Sequence, residues 1–279
     1  MSGIQALARS MAETVGRESW PIRTLRPLYE RALNALSLGR GIPWSLNGVP
    51  CRIDARYRRQ MARLYDAPVA TFLRDRVEPG SVCLDVGANV SVYVLQFAHW
   101  AGPTGRVVAF EPNPESRRVL ERHVALNGIG VRTAVEASAV GEAEGSAAFF
   151  ANQTDGRSRL GLPNPELLGA ARPITVRVDS LDAYCTRNHL APDWIVIDVE
   201  GFEFAVLRGA RRLMAERGSA LGVIVEMHPS AWPSIGEHRG AAENLLGQLG
   251  RTPAALTGQR DPLGEHGIVA LLATTDVRR

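Results

Sequence analysis

The chain has 279 residues and a formal charge of +3, with 45% hydrophobic and 22% charged residues. This composition excludes collagen, coiled-coil and disordered classes, supplies enough apolar chain for a sizeable core, and is too weakly basic to predict nucleic-acid binding. All 32 cationic residues are arginine, which excludes Schiff-base, pyridoxal-phosphate and phosphate-loop lysine chemistry. The basic groups left to act near neutrality are the six histidines and the α-amine. Charge is uneven: residues 1–80 hold 13 arginines against 7 acids, the remainder 19 against 22. Cys51, Cys83 and Cys185 are far apart and form no C-x-x-C pair, so neither a disulfide framework nor a zinc site is predicted. No stretch approaches about 18 apolar residues, and the N-terminus lacks the order of a secretory signal. A cytoplasmic protein with no stable membrane insertion is predicted.

In chain order, Leu7, Met11 and Val15, then Leu25, Leu28, Leu33 and Leu36, are broken at Pro21 and Pro27. They read as short amphipathic helices, an N-terminal helical extension over 1–50, ahead of one domain over 51–279. These helices offer a route to a homo-oligomer. Residues 57–77 carry Met61, Leu64, Val69, Phe72 and Leu73 at helical spacing.

After the turn at Glu78-Pro79-Gly80 the pattern alternates. Strands are predicted at 81–86, 106–110 and 135–140, with helices over 91–100 and from Asn113-Pro114-Glu115 to Asn127-Gly128. Such spacing implies right-handed βαβ units and an α/β fold with a mostly parallel sheet. Residues 147–150 and 174–178 read as two strands joined by a long loop. The α/β pattern resumes with a strand at 194–199, a helix over 202–216 and a strand at 221–227. A final pair at 252–256 and 268–273 completes the sheet.

Two strand ends carry cofactor chemistry. Asp85-Val86-Gly87-Ala88-Asn89 places one glycine where a strand turns into a helix, so backbone approaches a ligand and free N–H groups face it. The full dinucleotide fingerprint is missing. Glu111 follows 26 residues after Asp85 at the end of the neighbouring strand, where a carboxylate can accept hydrogen bonds from two ribose hydroxyls. Together they predict a nucleoside-cofactor site.

CLDVGANVSVY, VVAFEPNP, DWIVIDVEGFEFAVLRGA and VIVEMHP resemble the landmark blocks of the FkbM-type methyltransferases. The resemblance covers about 81–230. It implies a class I Rossmann-like fold with a seven-stranded sheet and helices on both faces. The implied cofactor is S-adenosylmethionine, and the implied activity is O-methylation of a small-molecule acceptor such as a natural product or sugar. Carried over residue by residue, Asp85, Gly87 and Asn89 shape the methionine pocket, and Glu111 holds the ribose. Asn113 and Ser138 border the adenine, and Tyr93 matches an aromatic position after the loop. Ser91 departs from the family's usual glycine; its side chain can cap the helix, but a positive φ there would cost affinity.

The third cluster is Asp198-Val199-Glu200-Gly201-Phe202-Glu203 with Glu226-Met227-His228. Alternation along an extended strand puts Asp198 and Glu200 on one side, beside the cofactor crevice. Glu203 opens a helix, where its charge suits the positive end of the dipole. His228 is the candidate base, with Asp198 and Glu200 as alternatives; its structural reading is a hydrogen bond to a carboxylate such as Glu226. The acids at 198, 200 and 226 are able to collect Mg²⁺, yet no motif demands it and no metal is predicted. His238 and His266 show no ligand spacing with His228, and Cys185 with His189 lacks a third partner. Arg157, Arg159 and Arg172 are candidates to clamp an acidic group on the acceptor. A nucleotide-dependent oxidoreductase and a non-catalytic nucleoside-binding protein on the same fold are the alternatives.

Overall fold

Trp20–Leu36 (α1) leads into an antiparallel hairpin of β1 (Ile42–Leu46) and β2 (Val49–Ile53) in the computed structural model, which describes residues 20–154, 156–161 and 171–274. The helices predicted around Leu7, Met11 and Val15, and most of the loop end at 162–170, lie outside the described residues. The hairpin corrects the purely helical extension: the boundary predicted at 50 falls inside β2. Asn47-Gly48 forms its turn with φ of +48° and +86°, the pairing most favoured in two-residue hairpins. Ile42, Leu46 and Ile53 share a core with the central sheet, so this segment is part of the domain.

The helix predicted over 57–77 shrinks to α2 (Ala67–Arg74). Asp66 precedes it at φ +43° and Pro68 occupies its first turn, which stops helix from running in from upstream. Met61 is buried while Leu64 stays exposed.

Strands β3 (Val82–Val86), β4 (Arg106–Phe110) and β5 (Thr133–Glu136) alternate with α3 (Val92–Trp100) and α4 (Pro114–Leu126). The strand predicted at 135–140 is broken at Ala137: β5 pairs with β4, while β6 (Ser138–Val140) leaves to join a second sheet. There β6 runs parallel to β9 (Arg172–Asp179). β9 pairs antiparallel with β7 (Gly145–Ala151), and the two-residue β8 (Arg159–Leu160) pairs with β7. The α/β pattern then resumes with α5 (Leu181–Arg187), β10 (Trp194–Ile197), α6 (Glu203–Arg208), α7 (Arg211–Arg217) and β11 (Gly222–Met227). It ends with α8 (Arg239–Gln248), β12 (Arg251–Ala255) and β13 (Gly267–Ala273).

The main sheet has seven strands in the order β12-β13-β11-β10-β3-β4-β5. β3, β4, β5, β10 and β11 are parallel, β13 is antiparallel to β11, and β12 is antiparallel to β13. Each central strand alternates between two cores. Cys83, Val107, Val196 and Ile224 face one; Leu84, Val108, Ile195 and Val223 face the other. Burial on both faces is why these segments read as continuous apolar runs. Strand order reverses between β3 and β10, and ligands in open α/β sheets bind beyond the carboxyl ends at such a reversal. Among the described residues no helix is long and apolar enough to cross a membrane.

Candidate active site

The loop leaving β3 passes so close to the end of β10 that only glycine fits at 87. A Cβ there would lie 1.8 Å from the Asp198 carbonyl oxygen, and Gly87 has φ +89°. The same turn holds Asn89 at φ +43°. Its backbone N–H donates to Glu111 Oε2 at 2.7 Å, while the Asn113 N–H donates to Glu111 Oε1 at 2.7 Å. Two amides thus fix the Glu111 carboxylate at the end of β4. Burial pushes it up to about 7 against those two hydrogen bonds.

Asp85 is fully buried, and its Oδ2 has no hydrogen-bond partner among the described residues; nor has Asn89 Oδ1. Desolvation, with the Glu111 charge added, pushes Asp85 up to about 8. Buried polar atoms left unpaired carry a cost that a bound polar ligand can remove.

These residues open on one cleft. Gly87, Asn89, Glu111, Asn113, Ser138 and Asp198 line it, with Phe149 and Leu160 from the second sheet. Asn113 caps α4 by accepting from the Glu115 N–H at 3.0 Å, and its Nδ2 donates to the Gln153 carbonyl at 2.5 Å. Gln60 reaches the neighbouring Thr154 from the N-terminal side. Gln153 and Thr154 are therefore tied to the side of the cleft where an adenine border is predicted. Ser138 is buried at the edge with its hydroxyl donating to Asp179 Oδ2 at 2.7 Å, so it lines the wall through its backbone and Cβ.

Tyr93 is placed elsewhere. It is not among the lining residues, and its hydroxyl donates to Asp66 Oδ2 at 3.0 Å beside Tyr65. Burial, then the charges of Asp198, Asp66 and Glu226, push the Tyr65 phenol upward. Ser91 is also corrected. It precedes α3 at φ +95° and makes no side-chain cap bond. Instead Ser91 Oγ lies 3.0 Å from His123 Nδ1. His123 Nε2 accepts from the Asp54 N–H, so the proton is on Nδ1, shared between Val90 O and Ser91 Oγ.

At the ends of β10 and β11 the arrangement differs from an extended alternation. β10 stops at Ile197 and Glu200 has φ +54°; the turn, not strand pleat, brings Asp198 and Glu200 together. The buried Glu203 receives three donors. Gly201 N–H and His228 Nδ1 lie 2.7 Å from Oε1, and the Trp232 indole lies 3.1 Å from Oε2. The partner of His228 Nδ1 is thus Glu203, not Glu226. His228 Nε2 faces Asp198 at 4.0 Å, Glu200 at 3.9 Å and Glu226 at 3.8 Å. Burial works against a charged imidazole, but Glu203, Asp198 and Glu200 outweigh it and push His228 up to about 10. Burial and the Glu226 charge hold Asp198 well above the usual carboxylate range.

The register Met227↔Gly267 between β11 and β13 brings His266 to this cluster. Its Nε2 lies 3.2 Å from Glu226 Oε1 and its ring centroid 4.9 Å from that of His228. Strand pairing, invisible in the spacing of 228 and 266, makes the connection. Of the arginines predicted to clamp an acceptor, Arg159 is buried along the cleft under the influence of Glu200, whereas Arg157 and Arg172 are exposed.

The methyltransferase FkbM domain model matches residues 85–250. Among solved structures, the chain is similar to the FkbM methyltransferase of Methylobacillus flagellatus, with 17% identity, a TM-score of 0.46, and coverage of 69% of this chain and 44% of that one. This chain thus spans less than half the length of that protein. It is also similar to an S-adenosylmethionine-dependent O-methyltransferase of Thermotoga maritima, at 12% identity and TM-score 0.43, over 78% of this chain and 69% of that one. Aeropyrum pernix fibrillarin, solved with natively bound S-adenosyl-L-methionine, aligns at 12% identity and TM-score 0.39 over 73% of each chain. No curated protein sequence matches this chain.

Proposed function

Because the chain belongs to the FkbM methyltransferase family, whose cofactor is S-adenosylmethionine, we propose that it methylates a hydroxyl oxygen of a small-molecule acceptor of the natural-product or sugar class. The observation that carries this reading is the pair of strand-end acids: Glu111, held by two amides on the wall of the cleft, and beside it the buried Asp85 with one unpaired oxygen. Glu111 is oriented for two ribose hydroxyls, Gly87 lets the backbone close on the ligand, and Asn113 fixes the wall beside the base.

S-adenosylmethionine supplies a methyl on a sulfonium, which leaves as a neutral thioether while a carbon–oxygen bond forms. The chain's part is alignment and proton removal. His228, the sequence's candidate base, is committed through Nδ1 to Glu203 and is surrounded at Nε2 by acids that favour its cation. The role of proton acceptor therefore passes to a carboxylate. Asp198 borders both the cofactor cleft and the His228 cluster, and its raised proton affinity suits abstraction from a hydroxyl. Glu200 stands beside it.

A screen of hydroxylated acceptors with S-adenosylmethionine, read by mass spectrometry as gain of one methyl, tests the reading. The expected product carries the methyl on oxygen. Methyl on nitrogen only, or a failure of the protein to bind S-adenosylmethionine, would overturn it.

A further inference from the structure

The acids and histidines beyond β10, β11 and the start of β13 form two groups that share one atom. Among the described residues, Asp198, Glu200 and His228 each place a donor atom within 4.8 Å of the others, and so do Glu226, His228 and His266. His228 Nε2 is common to both groups, with its three carboxylate neighbours at 3.8–4.0 Å. Those separations exceed a hydrogen bond but fit side chains that converge on one shared centre.

A second, independent feature points the same way. Metal-bound imidazole characteristically donates its other N–H to a carboxylate, which fixes tautomer and ring orientation. Here His228 Nδ1 donates to Glu203 Oε1 at 2.7 Å, and Glu203 is itself pinned by the Gly201 amide and the Trp232 indole. The His228 side chain is 11% exposed, and its Nε2 faces the carboxylates of the cluster. Three carboxylates, those of Asp198, Glu200 and Glu226, surround Nε2.

We propose that Glu226, His228 and His266 hold one divalent first-row transition-metal ion, with His228 Nε2 as its central ligand and Asp198 and Glu200 beside it. Mixed imidazole and carboxylate donors suit manganese, iron, cobalt or zinc, whereas magnesium prefers an all-oxygen set. The site lies against Asp198, at the border of the cofactor cleft. The inference rests on the methyl-transfer reading only for the ion's use, which is to bind the acceptor oxygen and lower the affinity of its hydroxyl for the proton.

Co²⁺ added to the purified, chelator-treated protein tests this by its visible absorption, with S-adenosylmethionine binding measured on the same samples by calorimetry. The expected result is one Co²⁺ per chain with nitrogen-ligand spectra, displaced by Zn²⁺ and not by equal Mg²⁺. Loss of a residue that binds or orients the metal typically weakens binding by about 10-fold or more, and His228→Ala and His266→Ala should each do so. His266 has 62% of its side chain exposed, so its variant folds even if His228→Ala does not. Absence of a one-to-one Co²⁺ site, or binding unchanged by His266→Ala and equally displaced by Mg²⁺, overturns the metal site. S-adenosylmethionine binding without a Co²⁺ site would sink this inference alone. A Co²⁺ site without S-adenosylmethionine binding would leave it standing and sink the methyl-transfer reading.

Discussion

His228 Nδ1 and Glu203 Oε1 lie 2.7 Å apart, and that single hydrogen bond couples the end of β11 to the first turn of α6. Glu203 is fully buried and accepts from three donors. Its carboxylate satisfies a backbone amide, an indole and an imidazole at once. Glu203→Gln keeps the shape but turns an amide NH₂ toward one of those donors. An unmet buried donor costs about 1–3 kcal/mol. The expected outcome is a lower denaturation midpoint, together with a fall in kcat that exceeds any change in the Kd for S-adenosylmethionine. A variant with wild-type kcat would separate His228 orientation from turnover.

Gly87 is the next test, because the β3 and β10 ends meet there. A Cβ would sit 1.8 Å from the Asp198 carbonyl at φ +89°, so neither a rotamer nor a small shift relieves the clash. Gly87→Ala should destabilise by more than the roughly 1–3 kcal/mol of local backbone strain, and abolish cofactor binding in any protein that remains folded. Chemical denaturation and calorimetry check the two effects. Wild-type affinity in Gly87→Ala would contradict the close approach.

Ser91 stores strain of the opposite kind. At φ +95° a side chain costs about 1–2 kcal/mol relative to glycine, partly offset by glycine's greater chain entropy. His123 Nδ1 keeps Val90 O as an acceptor when the hydroxyl is lost. Ser91→Gly should therefore leave stability unchanged or raise it by up to about 1 kcal/mol. Thermal unfolding would show this as an equal or higher Tm; a clearly lower Tm would mean that the Ser91–His123 contact outweighs the strain.

The buried acids set a pH dependence. Burial pushes Glu111 from 4.5 up to about 7 and Asp85 from 3.8 up to about 8. Because the folded state holds these protons more tightly than the unfolded chain, their contribution to stability is fully present below about pH 4. It is lost as pH rises through 7 to 8. The cofactor-free protein should thus become less stable between pH 5 and 8. Affinity for the cofactor should move the other way, rising as Glu111 ionises and can accept from both ribose hydroxyls. Melting curves with and without S-adenosylmethionine across that range check both slopes, and Glu111→Gln should flatten them. Parallel slopes would contradict the assignment.

The parallel core was legible because each of its strands is buried on both faces and so appears as a short unbroken apolar run, as in CLDV and WIVI. The Asp85, Gly87 and Glu111 positions were legible for a related reason: each sits where such a run ends. What local pattern could not show was pairing across distance. His266 meets His228 only because β13 runs antiparallel to β11. Glu203 reads as a helix-dipole residue until the turn at Glu200 and Gly201 folds it back on His228. Residues 135–140 read as one strand, yet β5 and β6 on either side of Ala137 serve two sheets. The β1–β2 hairpin is a different case, since Asn47-Gly48 carries its turn signal in plain view. The missing lysine also acquires a place. Histidine and a buried arginine supply the basic groups beside the crevice, and the proposed mechanism gives proton removal to carboxylates.

The central claim is that the cleft lined by Gly87 and Glu111, beside the buried Asp85, holds S-adenosylmethionine. Calorimetric titration of the wild-type protein and Glu111→Ala with S-adenosylmethionine and with NAD(H) tests it most directly. Loss of a charge-assisted pair of hydrogen bonds is worth about 1.5–3 kcal/mol, so the account predicts one saturable S-adenosylmethionine site, weakened about tenfold or more in Glu111→Ala, and no comparable NAD(H) site. Binding of NAD(H) in preference to S-adenosylmethionine, or affinity unchanged by Glu111→Ala, would contradict it.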